Sequence, residues 1–330
     1  MKRLLTALLG AAALGLGMSA QAGATEGVPS FGHVFVIVGE NTTYSQVTKN
    51  TMPYTLGTLE PESAWLTNYF ATTHYSESNY VAMTSGQFTA CEQGDGSIAS
   101  CHQDVPNLFN QLDQLYGSSG WTTWEESMPT PCDVNNAGAD STLNKYRPKH
   151  NPALNFDDVA GIWSGATLIP SNECLTQDIP AGTTGANDMS TFNAALASTT
   201  PMNRFNYVVP NECEDSHDNC KPVGNQLLQF DAFLQREVPQ ILASPSFGPD
   251  GVLIVTFDEA ATSSPNRAIK FGNGGQVVFA VISPLAKAGS YGNAWNHYSF
   301  LRTMQDGLGT SALGYLGDAS SATAIDTIWK

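Results

Sequence analysis

Carboxylate, amide and imidazole side chains follow four stretches of this chain that have the composition of buried strands. The stretches cover residues 33–38, 206–209, 252–257 and 277–282. The polar residues that come after them are Glu40 and Asn41, Asn211 and the acidic run 214–218 with His217, Asp258 and Glu259, and His297. In an open parallel sheet the carboxyl ends of the strands meet at one edge. The chain therefore predicts a cluster of ligands for zinc, calcium, magnesium or manganese, and with it metal-assisted chemistry.

A hydroxyl group suited to nucleophilic attack occurs at Ser76, within the segment 73–86 (THYSESNYVAMTSG). Residues 79–85 can begin a helix, which would put Ser76 just before the N-terminus of that helix. The free N–H groups and the dipole at such an end attract anions. A serine at this point can attack a phosphate group and also bind a metal ion.

Helical patterns separate the predicted strands. The apolar residues that mark them are Leu108, Leu112 and Leu115 between Pro106 and Gly117, then Leu227, Phe230 and Leu234 before Pro239, and Phe300, Leu301, Met304 and Leu308 before Gly309. Alternating strands and helices predict an α/β fold, a doubly wound and mostly parallel sheet with helices on both faces. The length of 330 residues fits one large domain.

The first 22 residues have the features of a secretory signal peptide. Lys2 and Arg3 precede an apolar run that ends at Met18, and residues 20–22 (AQA) form a cleavage site. The run is too short and too rich in glycine to anchor the chain in a membrane. We therefore expect residues 1–22 to be removed and residues 23–330 to form a catalytic domain in the periplasm or outside the cell, without stable membrane insertion.

Six cysteines in an exported chain predict disulfide bonds. Six cysteines allow 15 pairings. The sequential pairing Cys91–Cys101, Cys132–Cys174 and Cys213–Cys220 is favoured, because each bond closes a loop between predicted core elements. The chain has no C-x-x-C motif, which argues against a zinc–thiolate or redox site.

The charge of the chain limits its partners. The formal net charge of −16 falls to −18 once Lys2 and Arg3, with one positive charge each, are removed. Such a surface repels nucleic acids and anionic membranes, so we expect no nucleic-acid partner. The partner that the predicted site suits is a small phosphorylated substrate, and clustered carboxylates would also suit a divalent cation.

Six motifs resemble, in order, those of the phosphoesterase family of acid phosphatases and C-type phospholipases. Residues 74–86 resemble the nucleophile motif H-P-S-x-P-N-Y-x-x-x-x-S-G. The other five are VGEN at 38–41, KHNP at 149–152, PN at 210–211 with SHD at 216–218, TFDE at 256–259, and NHYSFLRT at 296–303. The first motif departs from the pattern where Tyr75 and Ser78 replace two prolines that would hold the loop rigid.

This resemblance implies a relationship to the alkaline phosphatase superfamily, with a metal site at the strand ends. By this resemblance Glu40, Asp258 and Glu259 hold a divalent metal beside Ser76. The phosphate-binding residues are Asn41 and Asn79, and His150 faces the phosphate or the leaving group. A second metal would involve Asn211, His217 and His297. The spacing from Asn211 to His217 is wider than the D-x-x-x-H of two-metal relatives, so the number of metals stays open.

The expected activity is that of an acid phosphatase that hydrolyses phosphate monoesters through a phosphoserine on Ser76. His217 or His297 would protonate the leaving group or hold the second metal. Alternatives are a phospholipase C-type phosphodiesterase, a phosphoinositide phosphatase, and a non-catalytic exported metal-binding protein. A serine esterase would need G-x-S-x-G, which the chain lacks.

Overall fold

Strands and helices alternate along most of the chain. The computed structural model describes residues 26–91, 94–138, 145–184, 187–261 and 272–330. The strands are β1 (Val34–Gly39), β2 (Ala64–Phe70), β3 (Trp121–Glu125), β4 (Gly161–Ser164), β5 (Thr167–Pro170), β6 (Asp178–Pro180), β7 (Phe205–Val209), β8 (Val252–Phe257), β9 (Gln276–Ile282), β10 (Gly289–Tyr291) and β11 (Trp295–Asn296). The helices are α1 (Glu60–Glu62), α2 (Ser76–Ser85), α3 (Ile98–Cys101), α4 (Leu108–Tyr116), α5 (Asp157–Ala160), α6 (Asn172–Gln177), α7 (Ser190–Leu196), α8 (Gln226–Ala243) and α9 (His297–Gly307).

A nine-stranded sheet forms the centre of the fold. Its strand order is β10-β2-β9-β8-β1-β7-β3-β6, and β11 pairs with the end of β2. Adjacent strands within the run β8-β1-β7-β3-β6 are parallel to each other. Every residue of β1, β7 and β8 is buried, as the continuous apolar runs of these strands require. The prediction of a mostly parallel, doubly wound α/β sheet is confirmed.

One strand runs against this direction. β9 is antiparallel to both β8 and β2. The end of β9 therefore points away from the edge where β1 and β8 end, and the expectation that this strand delivers His297 directly to that edge is wrong. The chain instead turns back through β10 and β11, which are parallel to β2. Because β2 has the same direction as β8, this return brings His297 to the shared edge.

The structure adds strands that the apolar runs did not indicate. β2 (AWLTNYF) and β3 (WTTWE) contain too many polar residues to stand out as buried runs. The helix predicted before Pro239 continues through that residue to Ala243. Val238 and Ile241 are both buried, so packing on either side of Pro239 offsets the backbone hydrogen bond that proline cannot donate.

Three disulfide bonds join the six cysteines in sequential order, Cys91–Cys101, Cys132–Cys174 and Cys213–Cys220, which confirms the favoured pairing. The predicted signal peptide, residues 1–22, lies outside the described residues. Within the described residues, helices combining enough length and apolar character to cross a bilayer are absent.

The end of β1 is packed tightly against its neighbours. A Cβ atom on Gly39 would lie 2.5 Å from the ring of Phe230 in α8 and 2.8 Å from the ring of Phe257 in β8. These two rings contact each other edge to face, with centroids 5.3 Å apart. Only glycine fits between them, at the position directly before Glu40.

We predict that Gly39→Ala lowers the free energy of unfolding by about 2 kcal/mol, because the added methyl group overpacks the contact with Phe230 and Phe257. Gly57→Ala is the matched control. Gly57 is an exposed helical residue whose Cβ would meet no atom within 4 Å, so alanine there should be neutral or stabilise by up to ~1 kcal/mol. Urea denaturation of both variants measures the difference. Equal stability of the two variants would contradict the assigned packing.

Candidate active site

Three strand ends bring Ser76, the predicted nucleophile, and the carboxylates to one edge of the sheet. Gly39 of β1 pairs with Phe257 of β8, so the residues that follow these strands emerge side by side. The loop after β2 leads to Ser76, which is the first residue of α2. The side chains of Glu40, Asp258 and Ser76 are all buried.

Hydrogen bonds connect this group directly. The Ser76 hydroxyl donates to Glu40 Oε2 at 2.8 Å. The Asn41 side chain donates to the same oxygen at 3.0 Å, and the Asn41 backbone N–H donates to Asp258 Oδ1 at 2.9 Å. Asn41 thus holds the carboxylates of Glu40 and Asp258 in a fixed position relative to each other. The backbone of Asn41 is left-handed (φ 48°), a conformation that asparagine tolerates better than most residues.

The buried carboxylates have more acceptor oxygens than the described hydrogen-bond donors satisfy. Within the described residues, Glu40 Oε1, Asp258 Oδ2 and Asp215 Oδ2 have no hydrogen-bond partner. Burial, and then the nearby Asp258 and Asp215, raise the pKa of Glu40 well above its ordinary value. Burial, and then Glu259, raise the pKa of Asp258 to about 8.

A divalent cation is the group that this arrangement fits. Glu40, Asp258 and Asp215 each have one buried oxygen without a donor among the described residues, and each such carboxylate is stabilised by a positive charge nearby. Carboxylate and hydroxyl oxygens are donors that magnesium, manganese and calcium favour, and an imidazole in the set would also suit zinc. The residues present therefore match the predicted metal site in both charge and donor type.

Glu259 supports the nucleophile loop. Its Oε2 accepts a hydrogen bond from the Tyr75 backbone N–H at 3.0 Å and lies 2.6 Å from His74 Nδ1. The carboxylate follows Asp258 directly, so one carboxylate belongs to the buried cluster and the next to the loop before Ser76. Glu259 was predicted to be a metal ligand, and in the structure one of its oxygens braces the loop before Ser76.

Asn79 braces the same loop from inside. Its side-chain oxygen accepts from Thr72 and Thr73, and its nitrogen donates to the carbonyl oxygens of Thr73 and Tyr75. These contacts use both ends of the amide, so the structure does not direct Asn79 at a bound phosphate. Its contribution is to position the residues just before Ser76.

His150 lies beside the cluster. Its Nε2 is 3.4 Å from Glu40 Oε1, and its Nδ1 is 3.7 Å from Asp215 Oδ2. The ring stacks on Tyr80 of α2, with centroids 5.4 Å apart and an angle of 15° between the planes. Burial lowers the pKa of His150, so the imidazole is neutral near pH 7. Of the three predicted site histidines, this one is brought to Glu40.

The other two histidines are placed differently. His217 is partly exposed, its Nδ1 is 2.9 Å from Asp218, and its ring lies 6.2 Å from that of His150. His297 is fully buried, with Nε2 2.6 Å from the Asp258 carbonyl oxygen and Nδ1 2.9 Å from the Tyr69 hydroxyl. Both ring nitrogens of His297 are therefore occupied, and the residue holds the backbone of Asp258 in position.

Asn211 holds a loop instead of joining the cluster. Its side-chain nitrogen donates to Ser127 and Asn187, and its oxygen accepts from the Cys213 backbone N–H. Its own carbonyl oxygen accepts from the Asp215 backbone N–H. The structure thus makes Asn211 a support for the segment that carries Asp215.

Asp215 was missed by the sequence analysis. It is fully buried, its Oδ2 faces His150, and its carbonyl oxygen accepts the Glu40 backbone N–H at 2.6 Å. The acidic run 214–218 after β7 was the available signal. Within that run the histidine attracted attention because imidazole is the more distinctive ligand, whereas burial selects the aspartate.

The sequence matches the model of the Phosphoesterase family over residues 35–309. A phosphatidylinositol-3-phosphatase from Mycobacterium tuberculosis is 27% identical, and the match covers 93% of this chain and 85% of that protein. A probable acid phosphatase from Kluyveromyces lactis is 26% identical over 88% of this chain, and the chain spans 62% of its length.

Solved structures support the fold. A protein of the alkaline phosphatase superfamily from Vibrio parahaemolyticus superimposes with a TM-score of 0.58 over 86% of this chain and 68% of that one, at 12% identity. At this identity the likeness concerns the fold alone. It agrees with the arrangement of strands that the sequence resemblance implied.

Tyr75 combines an unfavourable backbone with an exposed side chain. Its φ is 85°, and its side chain is 53% exposed. A β-carbon costs about 1–3 kcal/mol in such a conformation. The backbone is held there because the Tyr75 N–H donates to Glu259.

We predict that Tyr75→Gly leaves the free energy of unfolding unchanged or raises it by up to ~1 kcal/mol, because glycine removes the strain. Tyr75→Pro should lower it by ~3 kcal/mol, since proline fixes φ near −65° and has no N–H for Glu259. Leu115→Gly, at an exposed helical position with ordinary φ, is the control and should lose about 1 kcal/mol. Thermal unfolding of the three variants provides the comparison. Loss of stability in Tyr75→Gly equal to the loss in Leu115→Gly would show that Tyr75 is not strained.

Proposed function

Because this chain belongs to the phosphoesterase family, and so is a hydrolase of phosphoric ester bonds, we propose that it cleaves phosphate monoesters through a phosphoserine on Ser76. The observation that carries the proposal is the 2.8 Å hydrogen bond from the Ser76 hydroxyl to Glu40, beside buried carboxylates that each keep one oxygen without a donor among the described residues. A serine with only a structural role does not require several buried carboxylates beside it. A serine that attacks phosphorus next to a bound cation does, because the carboxylates hold the cation.

The proposed reaction has two steps. Ser76 Oγ forms a bond to phosphorus while the bond from phosphorus to the ester oxygen breaks, and the leaving oxygen takes up a proton from solvent. The Ser76 proton passes to Glu40 Oε2, its present acceptor. Water then attacks the phosphoserine and gives one proton back to solvent, the bond from phosphorus to Ser76 Oγ breaks, and Glu40 returns its proton to Ser76 as phosphate leaves.

Residues around Ser76 would hold the phosphoryl group. Ser76 begins α2, so the positive end of the helix dipole is directed at a bound phosphate. His150 is the imidazole nearest to Glu40, and we assign it, instead of His217 or His297, to the phosphoryl group or the leaving oxygen.

Glu40, Asp258 and Glu259 would hold a divalent cation in this proposal, Glu259 through its second oxygen because Oε2 braces the loop before Ser76. When bound, such an ion balances the buried carboxylates and polarises a phosphoryl oxygen. The number of ions is taken as one, since Asn211 and His297 use their side-chain polar atoms in other contacts.

A phosphoinositide headgroup is a specific second candidate for the substrate. It carries a phosphate monoester, so the same chemistry applies. The observation in its favour is that the M. tuberculosis phosphatidylinositol-3-phosphatase is matched over 85% of its length, which is more than the chain spans of the K. lactis phosphatase.

Export from the cytoplasm is also part of the proposal. Each of the six cysteines is in a disulfide bond, and such bonds persist mainly in oxidising compartments. The basic and apolar N-terminal segment of the sequence favours the same location.

We predict that the wild-type protein hydrolyses 4-nitrophenyl phosphate faster than the corresponding diester, and that Ser76→Ala lowers kcat/KM on the order of a thousandfold or more. Ser85→Ala is the matched control, because Ser85 lies in the same helix and bonds only to backbone groups of its surroundings. An active Ser76→Ala enzyme would rule out the phosphoserine. A preference for the diester would point to a phospholipase C-type activity, and absence of hydrolysis with bound metal would favour a binding protein.

A separate prediction concerns the cation and is read without activity. At a hundredfold excess over Kd, manganese, zinc, calcium or magnesium should stabilise the chelator-treated protein by about 3 kcal/mol. Glu40→Gln should lose most of this gain, because the ligand charge is gone. Glu62→Gln, an exposed position on α1, should keep it. Thermal unfolding with and without each ion, together with metal analysis, makes the comparison. An equal increase in stability on metal addition in both variants would show that Glu40 is not a metal ligand.

A further inference from the structure

The hairpin formed by β4 and β5 has an apolar face that no other described element covers. We propose that this hairpin, residues 161–170, docks the enzyme on a zwitterionic phospholipid surface from which a phosphorylated lipid is taken into the active site. The proposal rests on the proposed function and names the physical state of the substrate: a monoester presented at a lipid surface.

The two faces of the hairpin differ. Trp163 pairs with Leu168 across the strands, and both pack against the small core around the Cys132–Cys174 disulfide. Ile162 pairs with Ile169 on the opposite face. These two isoleucines are 70% and 57% exposed, more than the other large apolar side chains of the described residues.

An outward pair of isoleucines is unusual for a hairpin of this kind. A two-stranded antiparallel ribbon on a protein surface ordinarily alternates apolar residues inward with polar residues outward. Here the inner face is already filled by Trp163 and Leu168. The outer isoleucines therefore add nothing to the packing, and their exposure calls for a partner.

The hairpin is held firmly in place. The Trp163 ring stacks on His102 with centroids 4.6 Å apart, and His102 is paired with Asp157. At its base, the Ser171 backbone N–H donates to the Ala160 carbonyl oxygen at 2.9 Å. A rigid ribbon that keeps an apolar face outward loses little conformational freedom when that face meets an apolar partner.

The absence of charge on the hairpin indicates which kind of lipid surface it can contact. Residues 161–170 contain no ionisable side chain, although the whole chain carries a formal net charge of −16. The acidic residues just before the hairpin are engaged elsewhere, Asp157 with His102 and Asp158 with the Asn107 side chain. The hairpin is thus an uncharged face on an acidic protein. It suits zwitterionic lipid, and the rest of the surface would repel an anionic membrane.

The hairpin borders an open cleft whose wall includes residues 147–149, the segment directly before His150. Ala166, in the turn of the hairpin, lines an open cleft of about 640 Å³ together with Arg147 and Lys149. Lys149 directly precedes His150, which lies 3.4 Å from Glu40. A headgroup in this cleft would be flanked by the same ribbon that carries the exposed isoleucines.

A second copy of the chain is a poorer occupant. Two isoleucines with Ser164 and Thr167 form the outer face, which is far less than the ~800 Å² per partner that a stable dimer buries. A weak, reversible contact with lipid needs no such area, because affinity for a surface adds to binding of the headgroup.

The test compares one headgroup in two physical states. Activity is measured on long-chain phosphatidylinositol 3-phosphate in phosphatidylcholine vesicles and on its dibutanoyl form in solution. The variant Ile162→Thr/Ile169→Thr keeps the β-branched side chains that strands favour and removes the apolar face. Leu313→Thr, at an exposed position outside the hairpin, is the control.

We expect the double variant to lose about tenfold or more of the rate on vesicles, with the soluble substrate unchanged. Its flotation with phosphatidylcholine vesicles should fall in parallel, whereas Ile169→Trp should increase flotation because tryptophan prefers the membrane interface. Equal loss on both substrates, no loss on vesicles, or a dimer in the wild type that the double variant abolishes would overturn the proposal. Failure of the wild type to hydrolyse the soluble form would exclude a phosphoinositide substrate and overturn this proposal as well. The proposed function would fall only if 4-nitrophenyl phosphate were not hydrolysed either.

Discussion

The burial of several carboxylates at one edge of the sheet is the constraint on which the site depends. Glu40, Asp215 and Asp258 are all removed from water, and this burial, together with neighbouring carboxylates, raises their pKa values. Each also has one oxygen that no described donor satisfies. A buried anion without a partner is costly, so the surrounding structure must hold it in place by other means. The tight contact at Gly39, the Asn41 bridge and the imidazole of His297 behind Asp258 provide this support. The stability of the rest of the sheet is what maintains the cluster.

The central part of the fold was predictable because it follows directly from apolar runs. The strands β1, β7, β8 and β9 are buried over most or all of their length, and runs rich in β-branched and aromatic residues mark them. The direction of β9 was not predictable, since parallel and antiparallel buried strands have the same composition. β2 was missed for another reason. It carries Thr67 and Asn68 where the ladder is irregular, and this breaks the apolar run.

The site was predictable in its members but less so in their roles. The family motifs identify Ser76, Glu40 and Asp258 by type and spacing, and the structure brings these three together. Motifs do not distinguish a residue that faces the substrate from one that supports its neighbours. Asn79, Asn211 and His297 each have their polar atoms in contacts with the protein, whereas Asp215 joins the cluster from a segment where a histidine seemed the better candidate. Only the three-dimensional hydrogen-bond pattern separates these cases.

The pairing of β1 with both β7 and β8 has a consequence for the order of folding. Val34 meets Phe205 on one side and Val252 on the other, and Asn41 reaches Asp258 across 217 residues of sequence. Contacts of this separation close large loops and form slowly. The acidic residues therefore stay hydrated until most of the polypeptide has collapsed, and the cost of dehydrating them falls on the final stage.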